Sequence, residues 1–169
     1  GGVKCWGRNL NGELGRGNFA SASVPADVTG MGAGATAVAT GDGHSCAIVN
    51  GGLRCWGFNQ HGQLGNGTTA ASAVPVAVQG MGAGVTAVGT GRFHTCAVAA
   101  GVLRCWGNNG GGELGDGTTA DAAVPVTVLG NTQGTSMVTG GSDHTCAVIG
   151  GAAKCWGFNA SGQVGNGVQ

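Results

Sequence analysis

The sequence predicts an all-β fold made of propeller-type blades, each of four short antiparallel strands. Three observations predict it. First, Trp6, Trp56, Trp106 and Trp156 recur every fifty residues without insertion or deletion. Self-similarity at such a period marks a repeat architecture. Second, each fifty-residue unit contains four short strand-like runs separated by Gly-rich turn signals, with no helical periodicity; four-stranded units in series are propeller blades. Third, one hairpin-like segment recurs at the same phase: HSCAIVNGGLRCWG at 44–57, HTCAVAAGVLRCWG at 94–107 and HTCAVIGGAAKCWG at 144–157.

Taken in order, residues 1–7 (GGVKCWG) are the back half of a further copy and predict a strand ending in Cys5-Trp6-Gly7. A polar loop follows from Arg8 to Ser23, rich in Asn-Gly and Gly turn signals. Val24 to Val28 reads as a short strand with Pro25 at its first residues, where a missing donor is tolerated. Gly30 to Gly34 is a turn, Ala35 to Thr40 a second strand, and Gly41-Asp42-Gly43 a tight connection into the hairpin. The unit repeats as loop 58–73, strands 74–78 and 85–90 and hairpin 94–107, then through strands 124–128 and 135–139 and hairpin 144–157. Residues Phe158 to Gln169 stop inside the loop. The chain is thus expected to be one repeat domain, 1–169, with partial units at 1–7 and 158–169 and full units at 8–57, 58–107 and 108–157. Because blades pack face to face around an axis, the Ala and Gly of the inner strands are expected to allow close approach. About three and a third repeats fall short of the four to eight blades of a closed propeller. The expectation is a window on a longer array, or several chains that associate.

Asn50-Gly51 is a strong signal for a two-residue type I′ turn, whose central residues both take positive φ. Ala100-Gly101 and Gly150-Gly151 occupy the same place, Ala100 less comfortably. With that loop length Cys46 lies across from Cys55 in a non-hydrogen-bonded pair, where Cα atoms approach to about 4.5 Å. That distance is within disulfide reach. The expected bridges are Cys46–Cys55, Cys96–Cys105 and Cys146–Cys155; three pairs of free thiols are the alternative. No Cys-x-x-Cys knuckle supports a zinc site. Cys5 has no partner in the sequence.

Composition narrows the function classes. Gly accounts for 39 of 169 residues, and only 8% are charged, against about 25% in ordinary domains. Seven Lys and Arg balance seven Asp and Glu. Such a chain carries no net electrostatic footprint for nucleic acid or an anionic membrane, and no net charge keeps copies apart. Six pairable cysteines point to an oxidising, extracellular or cell-surface setting. No apolar run is long enough for a membrane-spanning helix. Asn66-Gly67-Thr68 and Asn159-Ala160-Ser161 match the glycosylation triplet.

The recurring pattern GxxHTCAxxxGxLRCWGxNxxGxLGxGTTxxxxVPVxV resembles the regulator of chromosome condensation repeat along the whole chain. The resemblance implies a β-propeller. Its nuclear members imply guanine-nucleotide exchange on a small GTPase, and a secreted bacterial relative implies enzyme inhibition. The cysteine pairs set this chain apart from the nuclear members and look more like the secreted bacterial ones.

Catalytic candidates are weak. His44, His94 and His144 radiate around an axis with no acidic partner at a repeated position, which predicts structural histidines bonded locally. The four Trp are expected to pack between blades, and Asn9, Asn59, Asn109 and Asn159 to brace their loops. Glu13 and Glu113 alternate with Gln63 and Gln163, so no catalytic carboxylate is maintained. Neither enzymatic activity, cofactor nor metal is expected. Variation is more informative, because a constant scaffold with variable loop tips is how repeat proteins present binding surfaces. The connection before the hairpin changes from Asp42-Gly43 to Arg92-Phe93 to Ser142-Asp143, and the loop after Trp contains His61 only once. Arg92, Phe93, Asp42, Asp143 and His61 are therefore the binding candidates, with Arg92 and Phe93 foremost. The expected partner is another protein or further copies of this chain, without nucleic acid or membrane insertion. The expected role is an interaction scaffold or adhesin-like module, or else a structural subunit of an extracellular fibre.

Overall fold

A computed structural model describes residues 1–130 and 132–168. Gln169, at the end of the predicted terminal loop, lies outside the described residues. Thirteen strands form four antiparallel sheets among the described residues. The first pairs β1 (Lys4–Gly7) with β2 (Ala22–Asp27). The second runs β3 (Ala35–Thr40), β4 (His44–Val49), β5 (Gly52–Gly57) and β6 (Ser72–Ala77). The third repeats it as β7 (Val85–Thr90), β8 (His94–Ala99), β9 (Val102–Gly107) and β10 (Ala122–Thr127). The fourth has three strands, β11 (Thr135–Gly140), β12 (His144–Ile149) and β13 (Ala152–Gly157).

The strands β3, β7 and β11 are the innermost of their blades and pack against one another in series. Small residues set that approach. A Cβ on Gly89 would lie 2.8 Å from Thr139 Cα and also collide with the Val138 backbone, so β7 could not come this close to β11 with any other residue there. Apolar side chains of β4, β5, β8 and β9 fill the space between blades. Ile48, Leu53, Leu64, Met81 and Trp106 form one buried cluster, and Val98, Leu103, Leu114 and Val138 the next.

The hairpin register is the predicted one. Cys46 pairs with Cys55, Cys96 with Cys105 and Cys146 with Cys155, and all three pairs are bonded. Their Cα atoms are 4.0–4.1 Å apart, as the narrow pair geometry requires. Asn50 and Gly51 take φ of 51° and 76°. Ala100 also takes φ 50°, a conformation that costs a non-glycine residue about 1–2 kcal/mol.

Two expectations are corrected. The outer strands begin two residues earlier than the sequence suggests, at Ala22, Ser72 and Ala122. Their prolines are therefore mid-strand, not at the strand start. They are accommodated because β6 and β10 are edge strands whose register slips at that point: Cys55 faces Val76 but Gly57 faces Ser72. An edge strand at a bulge is where a missing donor costs no ladder bond. The innermost strand of the last sheet also runs one residue further, to Gly140.

Candidate functional site

The up-and-down order of strands places two kinds of loop on one face of each blade. They are the short connection from first to second strand (41–43, 91–93, 141–143) and the long one from third to fourth (58–71, 108–121). This is the loop face. The two-residue turns and the segments 78–84, 128–130 and 132–134 lie on the opposite face.

Beneath the loop face, each blade meets the next through a repeated set of polar contacts. Trp106 donates its indole N–H to the Gln63 carbonyl at 2.9 Å, and the Thr95 hydroxyl donates to the same oxygen at 2.9 Å. The Thr95 hydroxyl has spent its single proton there, so it must accept from His44 Nε2–H, 2.9 Å away in the preceding blade. That fixes the Nε2–H tautomer and leaves Nδ1 bare; it has no partner among the described residues. The next boundary repeats the geometry. Trp156 and Thr145 donate to the Glu113 carbonyl at 2.9 and 2.8 Å, and Thr145 lies 2.9 Å from His94 Nε2. His44 and His94 are structural, but the expectation of local bonding is corrected for them, since each reaches the following blade. Burial holds His44 neutral, pushing its pKa down to about 3, with His94 adding to the effect. Burial likewise lowers His94 to about 4 against the opposing pull of Asp143. A ring that stays neutral and is tethered by a hydroxyl of the next blade cements the two blades.

The asparagines brace the long loops as expected. Asn59 donates to the carbonyls of Thr68 and Ala70 and accepts from the Leu64 amide. The loop then brings Gly65 under the next Trp. A Cβ at Gly65, where φ is +66°, would sit 2.6 Å from the Trp106 indole nitrogen.

On the loop face itself the structure gathers four of the five binding candidates at the boundary between the second and third sheets. Phe93 stacks on His61, with ring centroids 5.3 Å apart and planes 28° from parallel. Phe58 closes the group at 5.5 Å from Phe93. The Arg92 guanidinium lies 4.8 Å over the Phe93 ring, and its Nε is 3.5 Å from Asp42. His61 Nδ1 contacts Asp121 at 2.7 Å. Asp143 is not part of this group. It lies one blade further on, near His94, where its carbonyl accepts from the Phe158 amide. His61, which occurs only once and in a loop, stacks on Phe93 and hydrogen-bonds Asp121.

Phe58, Asp121 and Asn108, whose side-chain amide donates to Asp121 at 3.3 Å, are not found by the sequence reading. Positions 8, 58, 108 and 158 read Arg, Phe, Asn and Phe, and positions 21, 71 and 121 read Ser, Ala and Asp. The rule that selected Arg92 would have selected both sets. Among the described residues no group of three His, Cys, Asp or Glu is placed to hold a metal ion, and no helix is long and apolar enough to cross a membrane.

Comparison with known proteins supplies a context. The family model "Regulator of chromosome condensation (RCC1) repeat" matches residues 1–48, 50–98 and 101–148, and a second model of that repeat matches 35–63. The chain therefore belongs to the RCC1 repeat family. Human WBSCR16 is similar at 26% identity and a TM-score of 0.81, over 94% of this chain and 43% of that one. Prp20p from Saccharomyces cerevisiae is similar at 24% identity and a TM-score of 0.79, over 100% of this chain and 44% of that one. Yeast RCC1 (Prp20) in its complex with Kap60 gives 24% identity and a TM-score of 0.80, over 94% and 40% of the two chains. The chain thus spans less than half the length of these structures. No curated protein matches it.

Proposed function

We propose that this RCC1-repeat chain is a non-enzymatic, extracellular interaction scaffold that engages a protein partner through its loop face, at the boundary occupied by Arg92, Phe93, His61 and Asp42. The observation that carries the reading is the contrast between a uniform framework and one aromatic cluster on its rim. The boundaries at Trp106 and Trp156 have the same buried polar contacts, yet only the first of them carries Phe, His and Phe at the loop tips. Half-buried aromatic and Arg side chains held by neighbours suit a hot spot, because little side-chain freedom remains to be lost on binding. The relatives agree at a coarse level: RCC1-repeat propellers work by protein contacts, and the Prp20p structure was described with its binding to Gsp1p and histones. Nucleotide exchange is a less favoured reading, because the chain carries three disulfides suited to an oxidising compartment.

The test is Arg92→Ala combined with Phe93→Ala, assayed against the partner captured by crosslinking the native material. The double change should weaken that partner about tenfold or more, with the melting temperature unchanged, as for hot-spot truncations. Unchanged affinity would remove this site from the proposal. A structural subunit of an extracellular fibre is the second reading, favoured by the 8% charge content and zero net charge. Filaments in the native material would decide for it, and a discrete particle against it.

A further inference from the structure

Net neutrality does not describe how the charges are placed. The loops of the binding face hold Glu13, Asp42, Glu113, Asp116, Asp121 and Asp143, six of the seven carboxylates, against Arg8, Arg16 and Arg92. The strands hold Lys4, Arg54, Arg104 and Lys154, one cation at the same position of each repeat, against Asp27 alone. Arg16 and Asp116 occupy matching positions and offset each other. The loop side is therefore net negative and the strand flank net positive by the same amount, three charges each. Two of the three cations of the loop face are already engaged. Arg8 lies 3.8 Å from Glu13 and Arg92 lies 3.5 Å from Asp42. Asp143 has no ion pair among the described residues, and the only cationic candidate near Asp121 is His61.

Arg92 shows what this surface accepts. Its guanidinium lies over the Phe93 ring while Asp42 neutralises it. The same two elements, an aromatic ring and a carboxylate, recur on the other side of the cluster. There Phe58 and His61 supply the rings and Asp121 the charge, its side chain 42% exposed. This second half-site has no arginine of its own. We propose that the loop face docks a basic partner, a separate chain that seats a lysine or arginine side chain on the Phe58–His61 rings beside Asp121. The inference rests on the scaffold reading and adds the chemistry of the partner. A cation over a ring gains from the ring quadrupole. The charge separation orients the approach, drawing a basic surface to the loop side and repelling it from the flank.

The probe is a synthetic peptide alternating lysine and alanine, titrated into the intact chain, with the glutamate-for-lysine peptide as control. The lysine peptide should bind and the glutamate peptide should not. Raising salt from about 20 mM to about 300 mM should weaken binding about tenfold. Asp121→Asn should weaken it about fivefold, and Phe58→Leu, which keeps an apolar side chain without a ring face, should do the same. Arg54→Gln with Arg104→Gln should leave it unchanged. Equal binding of the two peptides, or indifference to Phe58→Leu while Asp121→Asn acts, would overturn the ring seat. So would self-association of the chain that disappears on Arg54→Gln with Arg104→Gln, because the occupant would then be a second copy. If the lysine peptide fails while Arg92→Ala with Phe93→Ala still weakens the captured partner, this inference falls and the scaffold reading stands.

Discussion

Two blade boundaries of this chain have the same buried framework and different rims. At the first, His44, Thr95, the Gln63 carbonyl and Trp106 connect the blades, and Phe58, His61 and Phe93 lie above them. At the second, His94, Thr145, the Glu113 carbonyl and Trp156 make the same contacts, but the matching rim positions are Asn108, Gly111 and Asp143. The buried part cannot change without stranding a polar group, whereas the rim can take an aromatic cluster or none. The difference teaches that stability and recognition are carried by separate residue sets stacked one above the other.

The comparison can be broken at its base. Trp106 is fully buried and Trp156 only partly, although both make the same hydrogen bond. Replacing Trp106 with Ala should cost about 4 kcal/mol, in the range for large buried aromatics, and Trp156→Ala clearly less. Equal losses in chemical denaturation would show that the two boundaries are energetically equivalent despite their burial.

Acid sharpens it. His44 is held to about 3 and His94 to about 4, against an ordinary value of 6.5. Because the folded values are depressed, the unfolded chain takes up these protons first as pH falls. The stability of the neutral rings is complete above about 6.5 and declines from there down to the folded values, by about 1.4 kcal/mol per pH unit for each ring. Thermal melts should therefore fall between pH 7 and pH 5, and His44→Gln should flatten the dependence. A pH-independent melt across that window would contradict the buried neutral tautomers.

The smallest expected difference lies in the bridges. Each disulfide closes a hairpin loop of about ten residues, worth at most about 2.7 kcal/mol on a chain-entropy account. The turn already restrains the unfolded hairpin, which lowers the figure. Cys96→Ser with Cys105→Ser should destabilise more than Cys146→Ser with Cys155→Ser, because the former blade supports neighbours on both sides. Identical melting temperatures of the two double variants would assign the stability to packing between blades.

Much of this was legible in the sequence. The fifty-residue period gave the blades, and the Asn50-Gly51 turn fixed the register that pairs the cysteines. What was not legible follows from contacts across repeats. His44 and Thr95 are fifty-one residues apart, and nothing local in the sequence says that they touch. The outer strands were shortened in the reading because Pro25, Pro75 and Pro125 look like strand starts, whereas the edge bulge lets them sit within a strand. Choosing Arg92, Phe93, Asp42 and His61 by their variation found most of the rim. Asp143 obeyed the same rule and lies elsewhere, since variation marks exposure to change and not proximity.

The oxygen that receives Trp56, Trp106 or Trp156 and the neighbouring Ser or Thr hydroxyl belongs to the backbone of residue 13, 63 or 113, while the side chains there alternate between Glu and Gln. A joint that reads the main chain is blind to the identity of the residue that provides it. The hydrogen bonds of this joint therefore do not require the side chain at 63 or 113 to match the Trp or the hydroxyl of the following blade. Gene duplication and unequal crossing-over can then lengthen, shorten or reshuffle the array in single steps. Each new unit arrives with its own loop tips, so the chain can trade recognition surfaces as interchangeable cassettes.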